Sequence, residues 1–326
     1  MIFFITFLRA LAACLITNAH YTGIYPTDII ANGGLLGDVL FFAVSGYCLY
    51  NIKNKLSISG FLHWYVKRLW RVFPPVIIIT LIYMLLGAYN PSEHNLFWWY
   101  VYPTNYHFVG SIILLYIPFF FIMKTEWIKQ KLPLVMLVIA SVWLIVYYTM
   151  YDRTYYHIDN VREPMIRFLF MESMLLGAWF RQNDQGLRNK FKFNYPVSTL
   201  IIFVMYFISK MLFSKSSNIS SLQFLNQIVL FILLWLIFRT FCGLDKHLES
   251  LPLWAKDTIQ FLADMTLEIY VVQYVLIDYV RGWTLSFPLN WVALTTIIIL
   301  SACILSKLCG SVYNLVNYML NHGDDN

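Results

Sequence analysis

The sequence predicts an all-α, polytopic transmembrane helix bundle, and three observations carry that prediction. Of its 326 residues, 60% are hydrophobic and 12% charged, where a soluble domain has about 45–50% and ~25%. Mean hydropathy is +0.63. Apolar runs near the ~20 residues that cross a hydrocarbon core recur from end to end. This balance excludes a soluble enzyme. The formal charge of +6 is modest and spread over many loops, which points to membrane lipid and to no nucleic-acid partner.

About ten spans are expected, at 2–19, 35–52, 70–88, 108–123, 132–150, 164–181, 195–213, 222–241, 258–280 and 289–318. The first lacks the basic leader and Ala-x-Ala cleavage pattern of a signal peptide, so it reads as a retained span. The second opens on "GDVLFFAVSGYCLY", and the third follows "WYVKRLWRVFPP", where Pro74-Pro75 marks a break. The fourth and fifth flank a lysine-rich loop, and the sixth holds two charges, Arg167 and Glu172. The seventh, eighth and ninth rest on apolar length. The tenth is long for one crossing, so it tilts or ends along the interface. No soluble domain, low-complexity linker or tandem repeat intervenes, so residues 1–326 read as one transmembrane domain; the tail "GDDN" is too short to fold.

Lysine and arginine set the expected sides. They gather in the loops 53–71 (Lys53, Lys55, Lys67, Arg68, Arg71), 124–131 (Lys124, Lys129, Lys131), 181–192 (Arg181, Arg188, Lys190, Lys192) and 239–256 (Arg239, Lys246, Lys256). The loops 20–35 and 89–107 have none. The alternation places the first set and both termini in the cytoplasm, in agreement with an even span number. The outward loops include "NLFWWYVYP", aromatics of the kind that sit at headgroup level.

A few polar residues stand out against this background. Arg9 and His20 are eleven residues apart, about 20° from alignment and roughly 16 Å along a helix. Either Arg9 snorkels to the headgroups and His20 is interfacial, or one helix face is polar at two depths for chemistry. Asp38 is either a helix-start acid or a partner that orients or charges His20. Ser45, Gly46 and Tyr47 are either a packing step or room for a ligand. Arg68 and Arg71, three apart on one face, are either a positive-inside anchor or a phosphate grip. Arg167 and Glu172 lie at depth, and buried structural pairing is the favoured reading. Asn18 and His107 are possible acceptor-site residues, while His63, His157 and His247 read as solvated. The five cysteines form no CxxC and no cluster with metal-ligand spacing, so free thiols and no metal are expected.

Together these residues resemble the acyltransferase-3 family of integral membrane acyltransferases, many of which O-acetylate bacterial surface polysaccharides. The resemblance rests on Arg9 with ten residues before His20, "FFAVSGY" at 41–47 and "RLWR" at 68–71. It continues through "PMIRFLFMESMLLGAWF" at 164–180 and "MTLEIYVVQYVLI" at 265–277, so it covers most of the chain. Two departures stand: Gln273 occupies the place of a frequent family histidine, and Asp38 is one residue further from "FF" than the family's acid.

The resemblance implies the bare transmembrane form, in a bacterial inner membrane. It implies an acyl-CoA donor, acetyl-CoA in the simplest case, on the cytoplasmic side. The acceptor would be a hydroxyl of a polysaccharide or lipid-linked glycan on the outer side. Arg68 and Arg71 would hold CoA phosphates, with the pantetheine arm passing Ser45, Gly46 and Tyr47. Arg9 would contact the cofactor, stabilise charge near the thioester, or pair structurally. His20 would act as general base or carry the acyl group. Tyr47, Tyr106 and Asn105 are conceivable oxyanion donors. The competing class is a glycan transporter or flippase, which commonly shows internal repeats; none is found here.

Overall fold

The computed structural model describes residues 2–103, 106–188, 192–215 and 217–322. They form fourteen α-helices: α1 (Phe3–Ala19), α2 (Gly34–Leu49), α3 (Ile58–Leu85), α4 (His107–Lys124), α5 (Glu126–Lys129), α6 (Leu132–Met150), α7 (Ile166–Gln182), α8 (Asp184–Arg188), α9 (Asn194–Lys215), α10 (Phe224–Gly243), α11 (Asp245–Glu249), α12 (Leu253–Asp264), α13 (Thr266–Arg281) and α14 (Leu289–His322). There is no strand among the described residues. Asn105, Lys190 and the acidic tail lie outside them.

Six helices among the described residues are long and apolar enough to cross a bilayer alone: α3, α4, α6, α9, α10 with its lead-in from Ile219, and α14. The expected crossings at 2–19, 35–52 and 164–181 are shorter helices, α1, α2 and α7, of 17, 16 and 17 residues. Seventeen residues rise about 25 Å, less than the ~30 Å hydrocarbon thickness. Most residues of α2 and α7 are buried among other helices. The lipid-facing wall is made elsewhere: the apolar windows of α9 and α6 are only 11% and 17% buried, against 61% for α4.

Two sequence expectations need correction. The stretch 258–280 is not one straight span but α12 and α13, bent by 69° at Met265. Thr266 turns its hydroxyl back onto the carbonyls of Ala263 (2.8 Å) and Leu262 (3.3 Å). A side chain that competes for backbone carbonyls weakens the helix at that point. α12 itself carries Lys256, Asp257 and Asp264 and exposes Leu253 and Trp254, the pattern of a surface helix.

The second correction concerns Pro74-Pro75, which does not break the chain. α3 runs through both prolines from a capped start, where the Ser57 hydroxyl accepts from the Gly60 amide at 3.0 Å. Arg68 and Arg71 therefore project from a helix, not a loop. Two prolines leave the carbonyls four residues earlier without donors. Those are the carbonyls of Trp70 and Arg71, and the Tyr313 hydroxyl of α14 meets them at 3.2 and 3.5 Å. A neighbouring helix thus supplies what the prolines withhold.

At the centre α2 and α7 cross backbone to backbone. A β-carbon at Gly46 would run into the Met174 carbonyl, and one at Gly177 into the Ala43 carbonyl. Small residues permit this approach, and the contacts are reciprocal. Phe42 and Phe170 stack beside the crossing with ring centroids 4.4 Å apart. α1 closes on α2 at Gly37, which faces Ile16 and the Ala12 carbonyl. The start of α1 has no cap of its own, and Asp245 of α11 accepts from the Phe4 amide at 2.7 Å. Arg188 links Asp245 (3.5 Å) to Asp184 (2.9 Å), and Arg181 reaches Asp184 at 3.5 Å. This clasp binds α1, α7, α8 and α11 at one end of the bundle.

Gly46→Leu or Gly177→Leu puts a side chain into the facing backbone, so loss of the monodisperse peak in fluorescence-detected size exclusion is expected. Tyr313→Phe should cost only about 1 kcal/mol, read as a fall in Tm of about 2–4 °C in detergent.

Candidate active site

The same helix faces line two cavities, one near each end of the bundle. The first, of about 760 Å³, contains His20 and Asp38 and is called the histidine cavity. The second, of about 520 Å³, contains Arg9, Arg68 and Arg71 and is called the arginine cavity. α1 gives Arg9 to one and Ile16, Ala19 and His20 to the other. α2 gives Leu35 and Asp38 to the histidine cavity and Phe41, Ser45 and Cys48 to the arginine cavity. Residues 38, 41, 45 and 48 are a single i, i+3, i+7 stripe, so one face of α2 runs past both. α4 contributes His107 and Phe108 to one, and Ile112 and Tyr116 to the other. α13 does the same with Tyr270 and Tyr274, then Leu267 and Glu268.

An aromatic layer stands between them. Phe41, facing the arginine cavity, meets Phe108, facing the histidine cavity, edge to face at 4.7 Å. Phe108 also touches Phe42 at 5.0 Å and Tyr270 at 5.4 Å, and its amide donates to the Tyr270 hydroxyl at 3.3 Å.

The histidine cavity brings together residues far apart in sequence. His20 caps the end of α1, and its ring meets Tyr274 edge on at 4.9 Å. Asp38 is buried, 7% exposed, and lies a full turn inside α2. It is not the helix cap; that place belongs to Gly33, whose φ of 96° suits glycine. Asp38 and His20 share the cavity without a hydrogen bond between them among the described residues. His107 lines it, as do Tyr89, Glu93, His94 and Arg162. Asn18 does not: its amide donates to the Ile30 and Asn32 carbonyls at 2.8 and 2.9 Å and accepts from the Tyr25 hydroxyl at 2.7 Å, which ties down the loop after α1.

In the arginine cavity Arg68 stacks over Trp64 at 5.9 Å, and its Nε is buried without a hydrogen-bond partner. Arg9 forms no ion pair among the described residues, although Asp264 and Glu268 line the same cavity. Ser45 opens onto this space. Gly46 and Tyr47 turn elsewhere: Gly46 sits in the α2–α7 crossing, and Tyr47 packs on Phe4 and beneath the Arg181 guanidinium. Tyr106 is buried, with its hydroxyl 3.4 Å from that of Tyr89. Gln273 is fully buried, and neither amide atom finds a partner.

Arg167 and Glu172 do not pair, contrary to the expectation from their depth. A spacing of five residues separates them by about 140° around a helix. Arg167 donates to the Tyr102 hydroxyl at 2.7 Å, while Glu172 lines a separate crevice with Trp143 and Gln227.

Sequence reasoning missed Tyr270, Tyr274, Glu93, His94 and Arg162 in one cavity, and Asp264, Glu268, Tyr116 and Tyr313 in the other. The two tyrosines four apart on an apolar helix were a readable signal. The loop residues offered none, because only tertiary folding carries them over the cavity.

If the two cavities open to opposite faces, Cys48 and a His20→Cys residue should react with an impermeant maleimide from opposite sides of oriented vesicles, in a Cys14→Ala background. Reaction of both from one side contradicts the arrangement.

The model of the acyltransferase-3 family, described as an acyltransferase domain, matches residues 2–309. No curated protein and no solved structure matches the chain.

Proposed function

The chain belongs to the acyltransferase-3 family of membrane acyltransferases, and on that premise we propose that it moves an acetyl or other short acyl group from acyl-CoA to a hydroxyl of a surface glycan or lipid-linked sugar. The observation that carries this reading is the pair of cavities on common helix faces, one rich in arginine and one holding His20 and Asp38. The positive-inside pattern supports a cytoplasmic arginine cavity and an outward histidine cavity, in a bacterial inner membrane. Family membership favours transfer over glycan transport.

Arg68 and Arg71 offer guanidinium donors to the donor's phosphates, and the unspent Arg68 Nε–H is free for such a bond. The thioester arm runs past Ser45 toward the Phe41–Phe108 layer. Those rings must part for the acyl group to pass. Arg9 acts from the donor side, as a contact to the cofactor or to charge near the thioester.

His20, as neutral imidazole, accepts the proton of the acceptor hydroxyl while that oxygen bonds to the acyl carbon. The C–S bond breaks and the coenzyme leaves as a thiolate that takes up a proton. Alternatively the imidazole takes the acyl group first and hands it to the hydroxyl. Asp38 orients His20 or balances its charge from across the cavity. The Tyr270 and Tyr274 hydroxyls, on the same cavity, are candidates for the oxyanion donor.

His20→Ala should abolish transfer of radiolabelled acetyl from acetyl-CoA to glycan, with an unchanged size-exclusion profile; normal transfer by this variant refutes the assignment. Arg68→Ala with Arg71→Ala should raise the donor KM by about tenfold or more, since each charged hydrogen bond contributes about 1.5–3 kcal/mol, with a smaller effect on kcat. An unchanged donor KM returns both arginines to an anchoring role.

A further inference from the structure

We propose that Arg167 holds the phosphate of a membrane lipid whose tail lies in the groove between α4, α6 and α7. The groove is about 630 Å³ and almost wholly apolar, with Pro118, Ile122, Trp127, Val135, Val138 and Phe168 in its walls. It opens to the lipid phase: Trp127 is 67% exposed and Val138 55%. Among the described residues, Arg167 is the only charged one that lines it.

No carboxylate pairs with Arg167 among the described residues. One Nη donates to the Tyr102 hydroxyl at 2.7 Å, and the buried Nε–H has no acceptor. Glu163, four residues earlier in sequence, forms no ion pair with it among the described residues, and Glu172 on α7 faces the crevice of Trp143 and Gln227. Arg167 also stands in the first turn of α7, where the positive pole of the helix adds to its charge. A guanidinium bordering an apolar, lipid-facing groove is stabilised by an anionic partner. A lipid phosphate supplies both the counter-charge and the acceptor oxygens that the guanidinium lacks.

The geometry also fixes the sense of binding. Arg167 lies fourteen residues, about 21 Å, before Arg181 on α7. Arg181 belongs to the charged clasp, so Arg167 is at the groove's far end from it. Trp127 of α5 and Leu134 of α6 line the other end. A lipid with its phosphate on Arg167 runs its chain along α4 and α6 toward Trp127. The inference goes beyond the proposed acyl transfer and does not need it.

Native mass spectrometry of the full chain tests it, with the protein equilibrated against phosphatidylglycerol or against diacylglycerol of the same chains. Wild type should retain phosphatidylglycerol about tenfold over diacylglycerol, as one charged hydrogen bond allows. Arg167→Gln should lose that preference, and Arg167→Lys should keep most of it. Val138→Trp fills the groove and leaves the guanidinium intact, so retention of both lipids should fall. Equal preference in wild type and Arg167→Gln overturns the phosphate contact. Unchanged retention in Val138→Trp overturns the groove, and displacement by inorganic phosphate alone overturns the commitment to a lipid. No acyl donor is present, so a negative result leaves the transfer reaction untouched, and inactivity of His20→Ala leaves the lipid site untouched.

Discussion

The crossing of α2 and α7 is the contact on which the rest depends. Gly46 against the Met174 carbonyl and Gly177 against the Ala43 carbonyl leave no space for a side chain on either helix. In a bilayer, helices gain little from burying apolar surface against one another, so close backbone packing carries much of the association. The crossing also fixes the rotation of α2. With Gly46 turned to α7, Ser45 and Phe41 turn to the arginine cavity and Asp38 to the histidine cavity. One small residue therefore decides where three chemically distinct residues point.

Around this centre, many polar groups are answered by a neighbour, and some charged ones are left facing a space. The carbonyls freed by Pro74 and Pro75 are answered by Tyr313, and the first turn of α1 by Asp245. Arg181, Arg188, Asp184 and Asp245 answer one another. Three of the unanswered groups carry charge and border a cavity or groove. Arg68 Nε sits at the arginine cavity, Arg167 Nε at the lipid groove, and Glu172 Oε1 at the α6–α7–α10 crevice. Buried polar atoms without partners are costly. Their position beside open spaces accords with an anion site at Arg68 and a lipid site at Arg167.

The two cavities divide the proposed reaction in space. Positive charge gathers at one end and an imidazole with a carboxyl at the other, with Phe41 and Phe108 between. Such an arrangement keeps a donor and an acceptor from meeting water across the bilayer while leaving one aromatic contact to move. The acids Asp264 and Glu268 flank the bend between α12 and α13 and line the same cavity as Arg9, Arg68 and Arg71, so two negative charges offset part of three positive ones there.

Much of this was legible in the residues alone. Apolar length identified the helices, because the cost of placing backbone and charge in hydrocarbon acts residue by residue along the chain. The i, i+3 pairing of Arg68 and Arg71 and the eleven-residue step from Arg9 to His20 follow from helix periodicity. What needed tertiary structure was everything set by rotation and neighbours. Gly46 and Tyr47 adjoin Ser45 in sequence yet face packing while it faces a cavity, since each step turns a helix by about 100°. Arg167 and Glu172 read as partners but face different crevices for the same reason. The carbonyls that Pro74-Pro75 leave free are met by a hydroxyl from Tyr313, over two hundred residues away. Periodicity is local, so sequence determined which residues are helical and which share a face; only packing between helices decided what each face meets.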